Sequence, residues 1–259
     1  MAGRRQGYAQ ERGRRGGRRQ GDPGGPVRGG RVAAAVSVLG ELLITFGVLL
    51  GLFVAYSLWW TNVLADRQAD SLAHRLRDQW THRPATGDTA PRHPRSFAVG
   101  DAVGFLHVPA LGADSTVLIR MGTGTDVLNQ GVAGVYRRPY AAAMPWERTG
   151  NFALAAHRDG HGARFHNLDR LHKGDPVVVE TSDTWYVYRV DAVLPQTSKE
   201  DTGVIAPVPK ESGFTRPGRY ITLTTCTPVY TSRYRMAVWG SLVRTVPVDA
   251  RRTPPAELR

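Results

Sequence analysis

Hydrophobic and polar positions first separate a long apolar segment from the rest of the chain. Residues 33–60 are almost entirely apolar, and the stretch from Leu42 to Trp60 carries no charged residue. As a helix, that stretch is long enough to cross most of a hydrocarbon core of about 30 Å. Trp59 and Trp60 end it, as is typical at a membrane interface. The pattern predicts one transmembrane helix over residues 32–60.

The residues after this segment predict a helix followed by a tether. Leu72, Leu76 and Trp80 recur every four positions among charged residues, which is helical spacing. This helix either continues the anchor or lies near the membrane surface. Residues 81–96 are rich in Pro, Thr and charge, a composition typical of a linker. Residues 61–96 are therefore predicted to be a juxtamembrane helix and linker.

The rest of the chain alternates short β-type runs with Gly, Pro and Asp residues. This pattern is typical of a small closed barrel or a sandwich, so an all-β folded domain is predicted for residues 97–246. A short helix is predicted over Ala163–Leu171 and a helical turn over Asp126–Gln130. Residues 247–259 are predicted to be a loose C-terminal tail. The predicted strands are Val103–Val108, Thr116–Ile119, Phe152–Ala156, Val177–Thr181, Trp185–Leu194, Tyr220–Thr225 and Arg235–Val243.

The net charge of +12 is concentrated at the N-terminus. Residues 1–31 hold nine arginines against Glu11 and Asp22 in a Gly/Arg-rich tail, which is predicted to be disordered. No nucleic-acid-binding pattern follows it, so nucleic acid is not predicted as a partner. By the positive-inside rule the tail stays cytoplasmic and the chain after about Thr61 is extracellular. A cleaved signal peptide is the alternative, but no clear small-x-small site follows the apolar run.

One thiol, one imidazole and one guanidinium lie at the ends of predicted strands. Cys226 is the only cysteine, which excludes an internal disulfide. His157 follows an apolar strand, and Arg235 begins the strand after Cys226. Such a trio fits acyl transfer: the thiol attacks a carbonyl, the imidazole moves the proton and the guanidinium faces the oxyanion. Arg233 and Arg235 lie on the same face of the predicted strand, so the pattern alone does not decide which of them belongs to the site.

Each member of this trio also has a plainer interpretation. A lone cysteine is commonly a small buried hydrophobe. His157, His161, His166 and His172 raise the possibility of a metal site, but they lack a partner cysteine or a HExxH helix. No metal and no cofactor are predicted.

Several runs of residues resemble one family. The run from Thr222 to Cys226 resembles the TLxTC signature of sortases, the membrane-anchored cysteine transpeptidases of Gram-positive cell surfaces. The similarity extends over about residues 100–245 and keeps the order His, Cys, Arg. The Thr-Thr-Cys-x-Pro form is most similar to class E members, while Ala156 departs from the glycine that many members have before the histidine. The other similar runs are 128–132, 150–158, 165–169, 174–179 and 235–238.

The resemblance implies a fold, a reaction and partners. The fold is a closed eight-stranded β-barrel with short helices. The reaction cleaves a Leu-x-x-Thr-Gly sorting signal, Leu-Ala-x-Thr-Gly in class E, between Thr and Gly. A thioacyl enzyme then passes the Thr carboxyl to a cell-wall precursor or pilin amine. The implied partners are surface proteins that carry the signal, and the implied location is the cell membrane with the catalytic domain outside.

The same resemblance implies a role for each site residue. Cys226 is the nucleophile, His157 the acid and base, and Arg235 the group that holds the substrate backbone or the oxyanion. Thr225 and Thr224 are implied as substrate contacts. The alternatives are an L,D-transpeptidase, whose His-Gly-Cys-x-Arg type run is absent here, and a tethered scaffold domain with an inert Cys226.

Overall fold

The computed structural model describes residues 29–81, 96–112 and 115–259. The predicted disordered tail, up to residue 28, and residues 82–95 of the predicted linker lie outside the described residues. The chain divides into two compact units, Met1–Leu52 and Phe53–Arg259.

One helix, α1 (Gly29–Thr81), covers the predicted anchor and the residues after it. In the first unit its apolar side chains are exposed, from Val32 to Leu52. By length and composition, α1 is a candidate membrane span, and it is the only such candidate among the described residues.

The second unit contains a closed barrel of eight strands in the order β1-β2-β3-β4-β7-β8-β6-β5. The pairs β2–β3 and β4–β7 are parallel and the other pairs are antiparallel. The predicted closed eight-stranded barrel is thus confirmed. The strands are β1 (Ala102–His107), β2 (Thr116–Met121), β3 (Ala133–Val135), β4 (Gly150–Ala155), β5 (Pro176–Glu180), β6 (Thr184–Ser198), β7 (Arg219–Thr227) and β8 (Tyr234–Pro247), with a short helix α2 (Thr125–Leu128) and 3₁₀ turns at Pro109–Leu111, Leu168–Arg170, Thr202–Ile205 and Ala256–Leu258.

Alternation along the strands separates side chains that point into the barrel from side chains on its outer face. On β4 and β7, Phe152, Leu154, Ile221 and Leu223 belong to the main core. The intervening positions face outward, because successive side chains of a strand point to opposite sides. A second apolar cluster covers part of that outer face: Ala153, Ala237 and Trp239 pack with Val204 and Ile205 of the β6–β7 connection. The indole Nε1 of Trp239 donates to the carbonyl oxygen of Val204 (2.8 Å).

The part of α1 inside the second unit packs on the barrel. Ala69 and Leu76 are buried against Phe105 of β1 and Leu118 of β2. Trp80 meets Phe105 edge to face, with ring centroids 5.4 Å apart. The amphipathic spacing read from the sequence therefore forms an apolar stripe that rests against β1 and β2.

Three sequence-based expectations differ from the structure. The helix expected over Ala163–Leu171 is a series of turns with one 3₁₀ segment, Leu168–Arg170. Its apolar positions are buried through turns instead, and Ala163 has a left-handed φ of 40° that an α-helix does not admit. Strand β3 was not predicted, because three small or β-branched residues carry no alternating pattern. The tail after Pro247 is held in place through Arg252, which bonds to Glu180 of β5.

Candidate active site

Strand β7 places Cys226 on the outer face of the barrel. Leu223 of β7 and Met236 of β8 belong to the core, and alternation along each strand then directs Cys226 and Arg235 outward. Cys226 is half-buried and lies directly opposite Arg235. Directly opposed residues of an antiparallel pair have Cβ atoms about 4.5–5.5 Å apart. The thiol and the start of the Arg235 side chain are therefore neighbours.

His157 reaches the same place from the end of β4. The parallel register pairs Ala155 of β4 with Thr224 of β7. Two further bonds extend it, from the amide of Ala156 to the oxygen of Thr224 (3.2 Å) and from the Thr225 hydroxyl to the oxygen of Ala156 (2.8 Å). His157 and Cys226 are the next residues along these two segments.

The ring and the backbone of His157 each make a hydrogen bond. Its Nε2 donates to Oδ1 of Asn129 (2.9 Å), and its backbone oxygen accepts from the amide of Phe165 (3.0 Å). The ring of His161 lies 5.3 Å away. Burial lowers the pKa of His157, His161 lowers it further, and Asp159 opposes both. The imidazole is consequently neutral at neutral pH.

Arg235 and Tyr136 complete this cluster. Nη1 of Arg235 donates to the carbonyl oxygens of Ser232 (3.0 Å) and Tyr234 (2.9 Å), which orients a half-buried guanidinium. Burial raises the pKa of Tyr136, while a bond to Thr224 and the charge of Arg235 lower it and Cys226 raises it. The ionisation of the Tyr136 phenol therefore depends on both Arg235 and Cys226.

Arg233 has a different environment. It is exposed and precedes β8, and its guanidinium carbon lies 5.2 Å from the ring centroid of Tyr234. Of the two arginines that the pattern left open, Arg235 is the one paired with Cys226.

Thr224 and Thr225 lie below the surface. Thr224 is 2% exposed, and its hydroxyl donates to the oxygen of Leu154 (3.1 Å) and lies 3.0 Å from the Tyr136 hydroxyl. Thr225 is 3% exposed, and its hydroxyl is bonded to β4 as described above. Both hydroxyls therefore connect β7 with residues 154–156.

A buried arginine ties the two site strands together from the interior side. Arg158, 6% exposed, donates from Nη1 to the Thr227 hydroxyl (3.0 Å) and pairs through Nη2 with Asp169 (2.9 Å). Next to it, Oδ2 of Asp159 accepts from the amide of Tyr230 (2.5 Å). These bonds connect the segment after His157 with the segment after Cys226.

Of the four clustered histidines, His166 and His172 lie apart from the pair His157 and His161. His166 is exposed and donates from Nδ1 to the Arg158 oxygen (2.9 Å), and His172 is exposed beyond the 3₁₀ segment. Within the part of the chain that the structure describes, no three His, Cys, Asp or Glu side chains form a group able to hold a metal ion.

Sequence reasoning missed three residues around the site: Asn129, Tyr136 and Arg158. Asn129 and Arg158 lie within runs that carried the family resemblance, but nothing local indicated their partners. Tyr136 lies after β3, a strand that the pattern did not predict. Each contact joins residues far apart in the chain, so only the closed barrel brings them together.

This arrangement has the parts needed for acyl transfer. A half-exposed thiol lies on β7, an arginine lies opposite it on β8, and a histidine follows the segment that pairs with β7. An imidazole next to a thiol can take its proton, and the cation can face a developing oxyanion.

Comparison with known proteins identifies the family. A model of the sortase domain matches residues 106–243. The chain is 58% identical over 237 residues to sortase SrtE2 of Streptomyces coelicolor, covering 91% of this chain and 93% of that protein. It is 46% identical over 220 residues to sortase SrtE1 of the same organism, covering 84% of this chain and 60% of that protein.

Solved structures agree with the sequence relatives. A crystal structure of sortase E1 from Streptomyces coelicolor with a tripeptide in the active site superposes with a TM-score of 0.59 at 44% identity, covering 63% of this chain and 100% of that chain. Sortase E from Streptomyces avermitilis superposes with a TM-score of 0.56 at 38% identity, with the same coverage. The predicted resemblance is confirmed, and the chain belongs to the sortase family of cysteine transpeptidases.

Proposed function

We propose that this sortase cleaves a Leu-x-x-Thr-Gly signal, with Ala at the second position, between Thr and Gly. It then joins the Thr carboxyl to an amine of a cell-wall precursor or a pilin. The Streptomyces sortase E relatives support the class, and Leu-Ala-x-Thr-Gly is the signal expected of it. Its partners are surface proteins that carry this signal.

Cys226, His157 and Arg235 carry the reaction in this proposal. The Cys226 thiol gives its proton to His157, and the resulting thiolate attacks the Thr carbonyl carbon while Arg235 faces the oxyanion. The carbon–nitrogen bond to Gly then breaks, and the departing amine takes a proton from His157. An incoming amine attacks the thioester, gives its excess proton back to His157, and releases the Cys226 thiolate.

The geometry around His157 supports these roles. Because Nε2 is bonded to Asn129 (2.9 Å), Nδ1 is the nitrogen left to exchange protons with the substrate. The observation that carries the proposal is the strand register: it sets Cys226 opposite Arg235 and brings the segment that leads to His157 alongside β7. A direct substrate contact by Thr224 or Thr225 stays a prediction.

The proposed location is the cell membrane. The candidate span within α1 anchors the protein, and the arginine-rich N-terminus keeps that end cytoplasmic. The catalytic domain is then extracellular, where sorted proteins and wall precursors are found.

The test uses the full chain in detergent micelles with a Leu-Ala-x-Thr-Gly peptide and a glycine-based amine. Mass spectrometry follows cleavage at the Thr–Gly bond and the joined product. We expect both products from the wild type and neither from Cys226→Ala or His157→Ala, with unchanged circular dichroism. Turnover by either variant at the wild-type rate would contradict the assigned roles. A folded wild type that leaves this peptide and its Leu-Pro-x-Thr-Gly counterpart intact would favour the scaffold alternative.

A matched pair of arginines tests the third role. We expect Arg235→Ala to lower kcat about 100-fold, as loss of an oxyanion partner does, and Arg233→Ala to change it little. The larger loss in Arg233→Ala would reverse the assignment. Both variants are measured with the same peptide, so the comparison is internal.

A further inference from the structure

The later part of α1, residues 62–76, contacts the two loops that surround His157. Oδ1 of Asn62 accepts from the backbone amide of Gly162 (2.9 Å), a residue 100 positions away. One turn later, Oδ1 of Asp66 accepts from Nη2 of Arg164 (2.7 Å). Both bonds reach the loop that follows His157.

The second loop, residues 129–132, lies directly against α1. Ala65 is 2% exposed, and a Cβ added at Gly131 would lie 3.1 Å from its oxygen and 3.3 Å from its Cβ. Gly131 also has a φ of +70°, so only glycine fits this close approach without strain. Nε of Arg164 donates to the Gly131 oxygen (2.8 Å), which connects the two loops.

The loop held by Asn62 has an unusual backbone. Four successive residues, from Gly160 to Ala163, have positive φ values of 62°, 45°, 80° and 40°. His161 and Ala163 are not glycines, and such residues keep this conformation only where their surroundings impose it. The Asn62 bond is made at Gly162, between these two residues.

Both loops bear directly on the imidazole. Gly162 follows His161, whose ring lies 5.3 Å from that of His157. Phe165, next to Arg164, donates to the His157 oxygen (3.0 Å). Gly131 lies two residues after Asn129, the partner of Nε2. Each contact of the helix is therefore one or two residues from a group that touches His157.

We propose that Asn62 and Asp66 are positioning residues for His157, so that residues 62–76 of α1 belong to the active-site framework and do not serve only as a tether. The helix contributes no group to the chemistry. It holds the two loops that fix the orientation of the imidazole. This inference rests on the proposed role of His157 and is independent of the peptide signal.

The test uses the full chain in detergent micelles and the variants Asn62→Ala and Asp66→Asn. Asp70→Asn, an exposed aspartate one turn further along α1, is the matched control. We expect kcat to fall about 10- to 100-fold in Asn62→Ala, because small displacements of a catalytic group cost that much. The fall should be smaller in Asp66→Asn, which keeps an oxygen acceptor but loses the charge that pairs with Arg164. KM should change little, and the control should match the wild type. Asn62→Asp keeps an oxygen acceptor at the same place, so it should recover most of the lost rate.

A second readout does not depend on turnover. Selective ¹³C labelling of histidine, with His157→Ala to assign the signal, reports the titration of His157 by NMR. Looser loops admit water, so the pKa of His157 should rise toward its ordinary value in Asn62→Ala and Asp66→Asn, and stay unchanged in Asp70→Asn. This readout remains valid if no peptide is turned over, and it therefore separates failure of the positioning role from failure of the proposed function.

Unchanged kcat and unchanged His157 titration in both variants, with His157→Ala inactive, would overturn the positioning role and leave the proposed function standing. A loss of rate in Asp70→Asn equal to that in Asp66→Asn would also overturn it. Should Asn62→Ala fail to fold, Asp66→Asn and Asn62→Asp decide the question on the same two readouts.

Discussion

At the scale of single residues, the environment of His157 determines its charge. Burial and His161 lower its pKa, and Asp159 offsets only part of this. A neutral imidazole can take a proton from a nearby thiol, which is the role proposed for His157.

The pH dependence of the enzyme should report this environment. His161→Asn removes the positive charge that His161 acquires in acid, so the pKa of His157 should rise. The acid limb of the kcat/KM profile should therefore move to higher pH, toward the ordinary histidine value of about 6.5. The profile is measured with the signal peptide from pH 5 to about 9, the range in which histidines and thiols titrate.

His172→Asn is the control for this prediction, since His172 is exposed and lies outside the site. Its acid limb should coincide with that of the wild type. An unshifted limb in His161→Asn, or an equal shift in both variants, would contradict the electrostatic role of His161.

At the scale of elements, the parallel pairing of β4 with β7 brings the segments that lead to His157 and Cys226 together. Its six-residue register ends two residues before His157 and Cys226, and the side chains of Thr225 and Arg158 extend the connection from there. The alternation of buried and outward positions made both strands predictable. Their pairing was not predictable locally, because a parallel pair joins segments separated by a long crossover.

Removal of the Thr227 hydroxyl should weaken this connection. Thr227→Val keeps the shape but leaves Nη1 of the buried Arg158 without its acceptor. We expect a loss of about 1–3 kcal/mol in the free energy of unfolding, the cost of an unsatisfied buried polar group. Chemical denaturation followed by tryptophan fluorescence measures it.

Thr245→Val supplies the comparison at an exposed position of β8. The same substitution there should change the free energy of unfolding by less than about 0.5 kcal/mol. Equal effects at both positions would show that the Arg158 bond adds nothing to stability.

At the scale of the second unit, Arg252 of the C-terminal tail contacts both the barrel and α1. Glu180 of β5 is 2% exposed and accepts two bonds from Arg252 (2.7 and 3.0 Å) and one from His107 (2.9 Å). The Arg252 guanidinium carbon also lies 4.5 Å from the ring centroid of Trp80 on α1. The expectation of a loose tail fails because this arginine neutralises a buried charge, which a local composition pattern does not reveal.

Arg252→Ala should therefore destabilise the fold. Burial alone would raise the pKa of Glu180, but bonds from His107 and Arg252 outweigh it, so the pKa is lowered. A lowered carboxyl pKa stabilises the fold above the unfolded value of about 4.3 and loses this contribution as pH falls through the folded value. We expect about 2 kcal/mol of destabilisation at pH 7, below the 3–5 typical of a fully buried pair because Arg252 is partly exposed.

Thermal unfolding from pH 7 down to pH 3 measures this difference, which should shrink in acid. Arg251→Ala, the exposed neighbouring arginine, removes the same charge and should leave the melting temperature nearly unchanged. A difference between Arg252→Ala and wild type that persists undiminished at pH 3 would contradict the ionic origin of the effect.

By itself, the sequence determined the properties that local patterns carry. An uninterrupted apolar run indicates a candidate span, alternation indicates the strands, and the ordered runs around His157, Cys226 and Arg235 indicate the family. Only the tertiary structure decided the partners of those residues. Asn129 reaches His157, Asn62 reaches Gly162 and Arg252 reaches Glu180 across 28, 100 and 72 positions. Such contacts depend on how the barrel closes and where α1 packs. The hydrophobic periodicity around Asn129, Asn62 and Arg252 does not indicate their partners.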